Sequence, residues 1–334
     1  MRDISFFSED TYLSIPNRKN PKVILAFGNK KIVKNSFEIY NPFSTKAKLF
    51  KWVVRFFGIH FKSLVLKLFD VEKHQNSEFI NFLNQEYQTK FTASIYNATL
   101  KDKVVIQLQS EGSIYGYAKF PLNERGLHNI KNEIYAIELL SKIEIINLEM
   151  KTFEFHKTPF FILPDLQGHF ENISDNEIYQ FVESFKKDKI LKLKDHLRII
   201  EIRDFLEAQN LIIELDILKS VLKTSKDYYN EVYEHGDFAP WNIVKTKNGM
   251  AAFDFEYFVE NGLEYFDIIK YHFQVGRLLK GKNQNDLYQY VSDKIGISEI
   301  REMLSLFLLK EIMNSYQQNK ASNFETKMLN FINA

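Results

Sequence analysis

The sequence contains no cysteine. That excludes a disulfide framework, a thiolate nucleophile and thiolate metal ligation. Glycine (12) and proline (7) are scarce in a chain of 334 residues, so little of it is left for irregular turns and linkers. There is no GxxxxGK[ST] stretch, which excludes a Walker-type phosphate cradle. The eight histidines are scattered and none belongs to an HExxH pattern, which argues against a zinc site. Strong net charge is also lacking: the total is +1, which argues against a protein whose main task is gripping nucleic acid. The N-terminal MRDISFFSEDTYLSI carries acids and no long apolar core, so it does not read as a secretory signal. The cytoplasm is the expected location.

What is present is globular: 45% hydrophobic and 26% charged residues, with phenylalanine used 31 times. The charge is unevenly spread. From Arg18 to Lys73 there are thirteen Lys and Arg against three acids, Glu38, Asp70 and Glu72, so the remainder is acidic by about nine charges. Such asymmetry points either to an acidic partner or membrane surface, or to one part of the chain docking on another.

Three zones emerge. Residues 1–90 form a basic extension or subdomain with apolar runs at KVILAF and LFKWVVRFFGIHFKSLVLKLF. Residues 91–165 alternate β-branched and aromatic runs with turns: FTASIY, VVIQLQ and SIYGYAKF read as strands, the last two joined through SEG. NIKNEIYAIELLSKI follows, with apolar positions at helical spacing, and then the strand candidates TFEFH and PFFILPD. The predicted order is strand, strand, strand, helix, strand, strand. Residues 166–334 read as mostly helical, with long patterns such as LRIIEIRDFLEAQNLIIELDILKSVLK.

One stretch breaks that helical texture: HGDFAPWNIVKTKNGMAAFDFE, residues 235–256. Asn248-Gly249 between two short apolar runs is a strong hairpin signal, and a two-residue loop there places Asp254 across from Ile243 and Asn242. The reversal gathers Asn242 and Asp254 at one end of a ribbon, just after Asp237. A strictly regular ladder would turn Asn242 and Asp254 to opposite sides, so at least one of them must leave strand geometry. Few oxygen ligands of this kind suit Mg²⁺, with water and phosphate oxygens completing its shell.

HGDFAPWN followed by FDFE resembles the catalytic core of aminoglycoside phosphotransferases and choline or sugar kinases, small-molecule relatives of the protein kinases. The resemblance runs loosely over residues 91–320 and leaves the first ninety unmatched. It implies an α+β, bilobal, protein-kinase-like fold: a small antiparallel-sheet N-lobe at 91–165 and a helical C-lobe at 166–334. It further implies that Asp237 takes the proton of a substrate hydroxyl, and that Asn242 and Asp254 hold Mg²⁺ on the phosphates of ATP. His235 would orient the loop, and Asp267 would brace it. Lys119, paired with Glu133 (or Glu138), would meet the α/β-phosphates, and adenine would rest on the backbone around Leu163 to Asp165. NATLKDK stands where a glycine-rich loop would be expected, a departure that kinases of this small-molecule group often show.

The expected activity is an ATP- and Mg²⁺-dependent transfer to a hydroxyl of a small molecule, such as a sugar, aminosugar or amino alcohol. A surface-glycan acceptor is suggested only by the basic, aromatic N-terminal zone. A kinase-like enzyme acting on a protein side chain and a catalytically silent nucleotide-binding scaffold are the alternatives. Glu260, Glu264 and Asp286 are acids that a cationic acceptor could meet. The stretch 46–69 has two readings. A helix packed on the rest of the chain is the ordinary one, and a peripheral contact with an anionic membrane is the other.

Overall fold

A computed structural model describes residues 4–17, 19–42, 45–69, 71–97, 102–170 and 173–334. The chain divides into two compact units, Met1–Glu138 with Asn147–Gln167, and Leu139–Ile146 with Gly168–Ala334.

The first unit is built on an antiparallel sheet. In chain order it holds β1 (Thr11–Ile15), β2 (Val23–Ala26), α1 (Lys30–Ser36), α2 (Thr45–His60), α3 (Lys62–Leu68), β3 (Val71–Lys73) and α4 (Glu78–Tyr87). Then come β4 (Thr92–Asn97), β5 (Lys103–Ser110), β6 (Ser113–Pro121), α5 (Glu124–Lys142, whose end from Leu139 is counted with the second unit), β7 (Lys151–Phe155) and β8 (Thr158–Pro164). From β4 onward this is the strand and helix order expected from the apolar runs. The strands lie in the order β3-β1-β2-β4-β5-β6-β8-β7. Residues before 90 therefore extend the same sheet, because β2 pairs with β4 through Val23 opposite Tyr96 and Ile24 opposite Ile95. The β5–β6 turn uses Glu111 and Gly112, both at positive φ (52° and 79°), the geometry that suits the twist of a two-residue hairpin.

The heavy use of phenylalanine is explained here. Phe79 on α4 lies within 5.1–5.5 Å of Phe6, Phe120, Phe155 and Phe160 by ring centroid, which fastens α4 onto the sheet. A second cluster, including Leu13, Leu25, Phe27 and Val33, covers the β1–β2 part. The segment at Asn97–Lys103, in the place of a glycine-rich loop, falls outside the described residues at positions 98–101.

The second unit is mostly helical: α6 (Asp175–Glu183), β9 (Lys186–Lys192), α7 (Leu197–Ala208), α8 (Ile212–Thr224), β10 (Tyr228–Glu234), β11 (Ile243–Thr246) and β12 (Gly249–Ala252). β13 (Val259–Leu263), α9 (Phe266–Gln274), α10 (Gln284–Ile295), α11 (Ile300–Gln317) and α12 (Asn323–Asn333) complete it. The long helical pattern from Leu197 breaks into α7 and α8 at Asn210, which sits at φ 54°. The sequence reading missed the small sheet β13-β10-β9. Its strand β9 is KKDKILK, whose charge hides any alternation. α11 forms the core, with eleven buried residues that include one cation, Lys310. Among the described residues no helix is long and apolar enough to cross a membrane.

Candidate active site

The loop between β10 and β11 carries the densest polar geometry of the second unit. β10 ends at Glu234, and the chain turns at Gly236, φ +81°. A Cβ there would lie 2.1 Å from the Tyr257 carbonyl oxygen, so only glycine permits this approach. Asp267, in the first turn of α9, accepts the backbone N–H of His235 at 2.7 Å and of Gly236 at 3.1 Å. Burial, then the charge of Glu234, push its carboxyl up to about 7, against the pull of those N–H donors and Lys310. His235 is fully buried. Its Nδ1 accepts the Asp237 N–H at 3.3 Å, so Nε2 is the nitrogen that donates, to the Phe253 carbonyl at 3.1 Å. Both ring nitrogens are thus engaged in holding the loop.

Asn242 Nδ2 lies 2.9 Å from the Asp237 carbonyl oxygen and 3.1 Å from Asp237 Oδ2. Both partners are acceptors, so the amide nitrogen must face them and Oδ1 is turned away from Asp237. The hairpin that follows differs by one residue from the expectation. Thr246 pairs with Gly249, so Lys247 and Asn248 form the turn and Gly249 (φ +115°) opens the return strand. The cause is the Thr246 hydroxyl, which takes the Asn248 N–H at 3.1 Å and donates to the Gly249 carbonyl at 2.9 Å. Ile243 therefore faces Ala252 rather than Asp254, and the Phe253 N–H bonds the Asn242 carbonyl at 2.9 Å. Asp254 is the residue that leaves strand geometry: it sits at φ +69°, a left-handed conformation that Asp tolerates better than most residues.

A residue absent from the sequence reading completes this group. Lys270, one turn along α9 from Asp267, places its ammonium 3.5 Å from Asp237 Oδ1 and 2.6 Å from Glu311 Oε2. Glu311 Oε1 lies 3.3 Å from Lys310, and Lys310 lies 3.2 Å from Glu234. Arg198 grips Glu234 with two bonds of 3.0 Å. Charges alternate in sign along Arg198, Glu234, Lys310, Glu311, Lys270 and Asp237. Burial alone would lower the Lys270 ammonium and raise the Glu234 and Glu311 carboxyls. Glu311 and Asp237 outweigh it for Lys270, which stands above the ordinary lysine range. Arg198 and Lys310 hold Glu234 below the usual carboxylate range, and Lys270 and Lys310 do the same for Glu311. The available signal was a lysine on the buried stripe of each helix, FDIIKYHF and LFLLKEIM.

In the first unit Lys119 on β6 lies 2.5 Å from Glu133 Oε1 on α5, both side chains almost wholly buried. Glu138 makes no such contact with Lys119 among the ion pairs of the described residues. Leu163 stands in β8 opposite Tyr117. Pro164 lacks an N–H, and the Asp165 N–H is directed at the Tyr115 carbonyl at 3.4 Å. Burial raises the Asp165 carboxyl above its usual range, against the Gln167 N–H. Two of the acids considered for a cationic acceptor have other partners. Glu264 bonds Lys186 at 3.1 Å and Asn230, and Asp286 bonds Asn283 at the start of α10.

No three His, Asp or Glu side chains gather into a metal cage among the described residues. The oxygen donors Asp254 and Asn242 are the ligand types that suit Mg²⁺ delivered with phosphates, which needs no all-protein cage.

No family model and no curated protein matches the sequence. Among solved structures the chain is similar to a choline kinase from Streptococcus pneumoniae, at 12% identity and TM-score 0.46, covering 77% of this chain and 98% of that one. It is similar to an ethanolamine kinase from Plasmodium vivax at 14% identity and TM-score 0.45, covering 91% and 94%. An aminoglycoside phosphotransferase from Streptomyces rimosus aligns at 14% identity and TM-score 0.43, covering 70% and 98%.

Proposed function

We propose that the protein is a small-molecule kinase that transfers the γ-phosphoryl group of Mg²⁺-ATP to a hydroxyl. The observation that carries this reading is the Asp237 carboxylate, fixed on one oxygen by Asn242 and faced on the other by Lys270. A carboxylate so oriented is set to accept a hydroxyl proton while the alcohol oxygen attacks phosphorus and the bond to the ADP oxygen breaks. Asn242 Oδ1 and Asp254 would hold Mg²⁺, which supplies charge neutralisation on the phosphates when bound. Lys119, steadied by Glu133, would meet the nucleotide phosphates from its own unit.

His235 and Asp267 act through the loop backbone rather than on the reacting atoms. Lys270 acts through Asp237: its ammonium, 3.5 Å from Oδ1, helps hold the carboxylate in its orientation. The acceptor class, a sugar, aminosugar or amino alcohol, follows from the resemblance of the HGDFAPWN and FDFE motifs. The test is ADP release by purified protein with Mg²⁺-ATP and pools of candidate alcohols. Acceptor-dependent release is expected from the wild type and not from Asp237→Asn, which should still bind ATP. A nucleotide-binding scaffold without turnover would release no ADP with any pool, and equal rates in the two proteins would remove Asp237 from its role.

A further inference from the structure

α2 sits on its own unit through a narrow stripe. Val54 and Gly58 are buried there, and a Cβ on Gly58 would meet the Phe27 ring at 3.0 Å and Val33 at 3.2 Å. Lys51 and Arg55, beside that stripe, are engaged internally with Glu38 at 3.6 and 2.9 Å. The aromatic side of the helix faces solvent. Leu49, Trp52 and Phe56, spaced by three and four residues, are 61%, 63% and 40% exposed. Their surface continues through Phe57 and Phe61, with Trp52–Phe56, Phe56–Phe57 and Phe57–Phe61 ring centroids 5.6–5.7 Å apart. On α3, Leu64 and Leu68 extend it, the latter 70% exposed. Helices of soluble domains normally turn such residues inward, and a contiguous exposed patch of this size marks a contact surface.

The charge around the patch selects the partner. Residues 45–69 contain six Lys and Arg and not one acid. Lys46, Lys48, Lys62 and Lys67 are exposed along the same two helices. The charges that these two helices carry are all cationic, with Glu38 meeting Lys51 and Arg55 from outside them, and together with Trp, Phe and Leu they match an anionic bilayer surface, where rings enter the headgroup boundary and lysines reach back to lipid phosphates. α2 has 16 residues and repeated cations, so it lies in an interface rather than crossing it.

We propose that the outward face of α2 and α3 docks the protein on an anionic lipid membrane. This is independent of phosphotransfer and is tested without turnover. The full chain is sedimented with phosphatidylglycerol/phosphatidylcholine vesicles and with phosphatidylcholine alone, at low salt and at about 0.5 M salt. Co-sedimentation is expected with the anionic vesicles at low salt and should weaken as salt rises. Trp52→Ser with Phe56→Ser, and separately Lys46→Glu with Lys67→Glu, should each lower partition by roughly tenfold or more. These positions are exposed, so circular dichroism and melting should stay at wild-type values, and the charge pair serves as the check if the aromatic pair misfolds. Tryptophan emission should shift to the blue on vesicles in the wild type and not in Trp52→Phe. Absence of pelleting at low salt, equal pelleting with neutral vesicles, or unchanged binding by the charge variant would overturn the proposal. So would self-association in solution that is lost with Trp52→Ser, since a second copy would then be what covers the patch.

Discussion

Each unit buries a lysine against a glutamate, but the two arrangements differ in what surrounds them. In the sheet unit Lys119 meets Glu133 through one oxygen, and Glu133 Oε2 is buried with no hydrogen-bond partner among the described residues. In the helical unit Glu234 and Glu311 each touch two cations, and the series ends on the partly exposed Asp237. Desolvation of an ion pair is offset only when further bonds satisfy the remaining lone pairs. The series comes closer to that condition and spans α7, β10, α9 and α11: both oxygens of Glu234 are hydrogen-bonded, whereas Glu311 Oε1 has Lys310 at 3.3 Å without a hydrogen bond among the described residues. In the sheet pair Glu133 Oε2 has no such bond, so the pair is expected to add less to stability.

The largest expected effect is at the end of the series: Asp237→Asn should reduce turnover by about 10² to 10⁴ with the fold intact, measured by initial rates. Next comes its interior. Glu234→Ala removes the buried carboxylate that Arg198 and Lys310 share, leaving them only Glu201 and Glu311, and should destabilise by roughly 3–5 kcal/mol in urea unfolding. His272, two residues after Lys270, is a buried titratable group with no hydrogen-bond partner on either ring nitrogen among the described residues. Burial holds it down to about 4, with Asp175 opposing and Lys294 and Lys280 assisting. The unfolded chain then binds a proton that the folded chain excludes, so stability should fall as pH drops from about 6.5 to 4, by up to roughly 3 kcal/mol. In His272→Leu that part of the acid limb should flatten in melts at several pH values.

Smaller effects follow for the two lysines. Lys270→Met should lower turnover roughly tenfold to a hundredfold by loosening Asp237, while ATP affinity stays near wild type, a split that steady-state kinetics reads directly. Replacing the whole sheet pair, Lys119→Met with Glu133→Leu, should leave stability within about 1 kcal/mol of wild type or raise it, yet weaken nucleotide binding. A large loss of stability in that double variant would contradict the contrast between the two arrangements.

Much of this was legible in the sequence because it is local. The strand order from β4 to β8 follows from period-two runs and turn residues, and the HGD, Asn242 and Asp254 offsets lie within one loop and hairpin. The hairpin register was not legible, because the Thr246 side chain rather than the Asn-Gly pair places the turn. Strands β9 and β10 were hidden by charged side chains whose partners are distant in sequence, such as Lys187 and Lys189 on Glu231. The Arg198-to-Asp237 series joins residues far apart along the chain, so spacing alone could not show it. The apolar period of α2 was visible, but which way its aromatic face points depends on Gly58 seating against Phe27.

Whether Asp237 serves a phosphoryl transfer to an alcohol is decided by incubating the protein with ATP labelled by oxygen-18 in the γ-phosphoryl group, Mg²⁺ and a metabolite pool, and following the label by mass spectrometry. Label is expected in a phosphomonoester of a hydroxyl compound with wild type and none above background with Asp237→Asn. Label found only in inorganic phosphate, or equal ester formation by both proteins, would contradict that role.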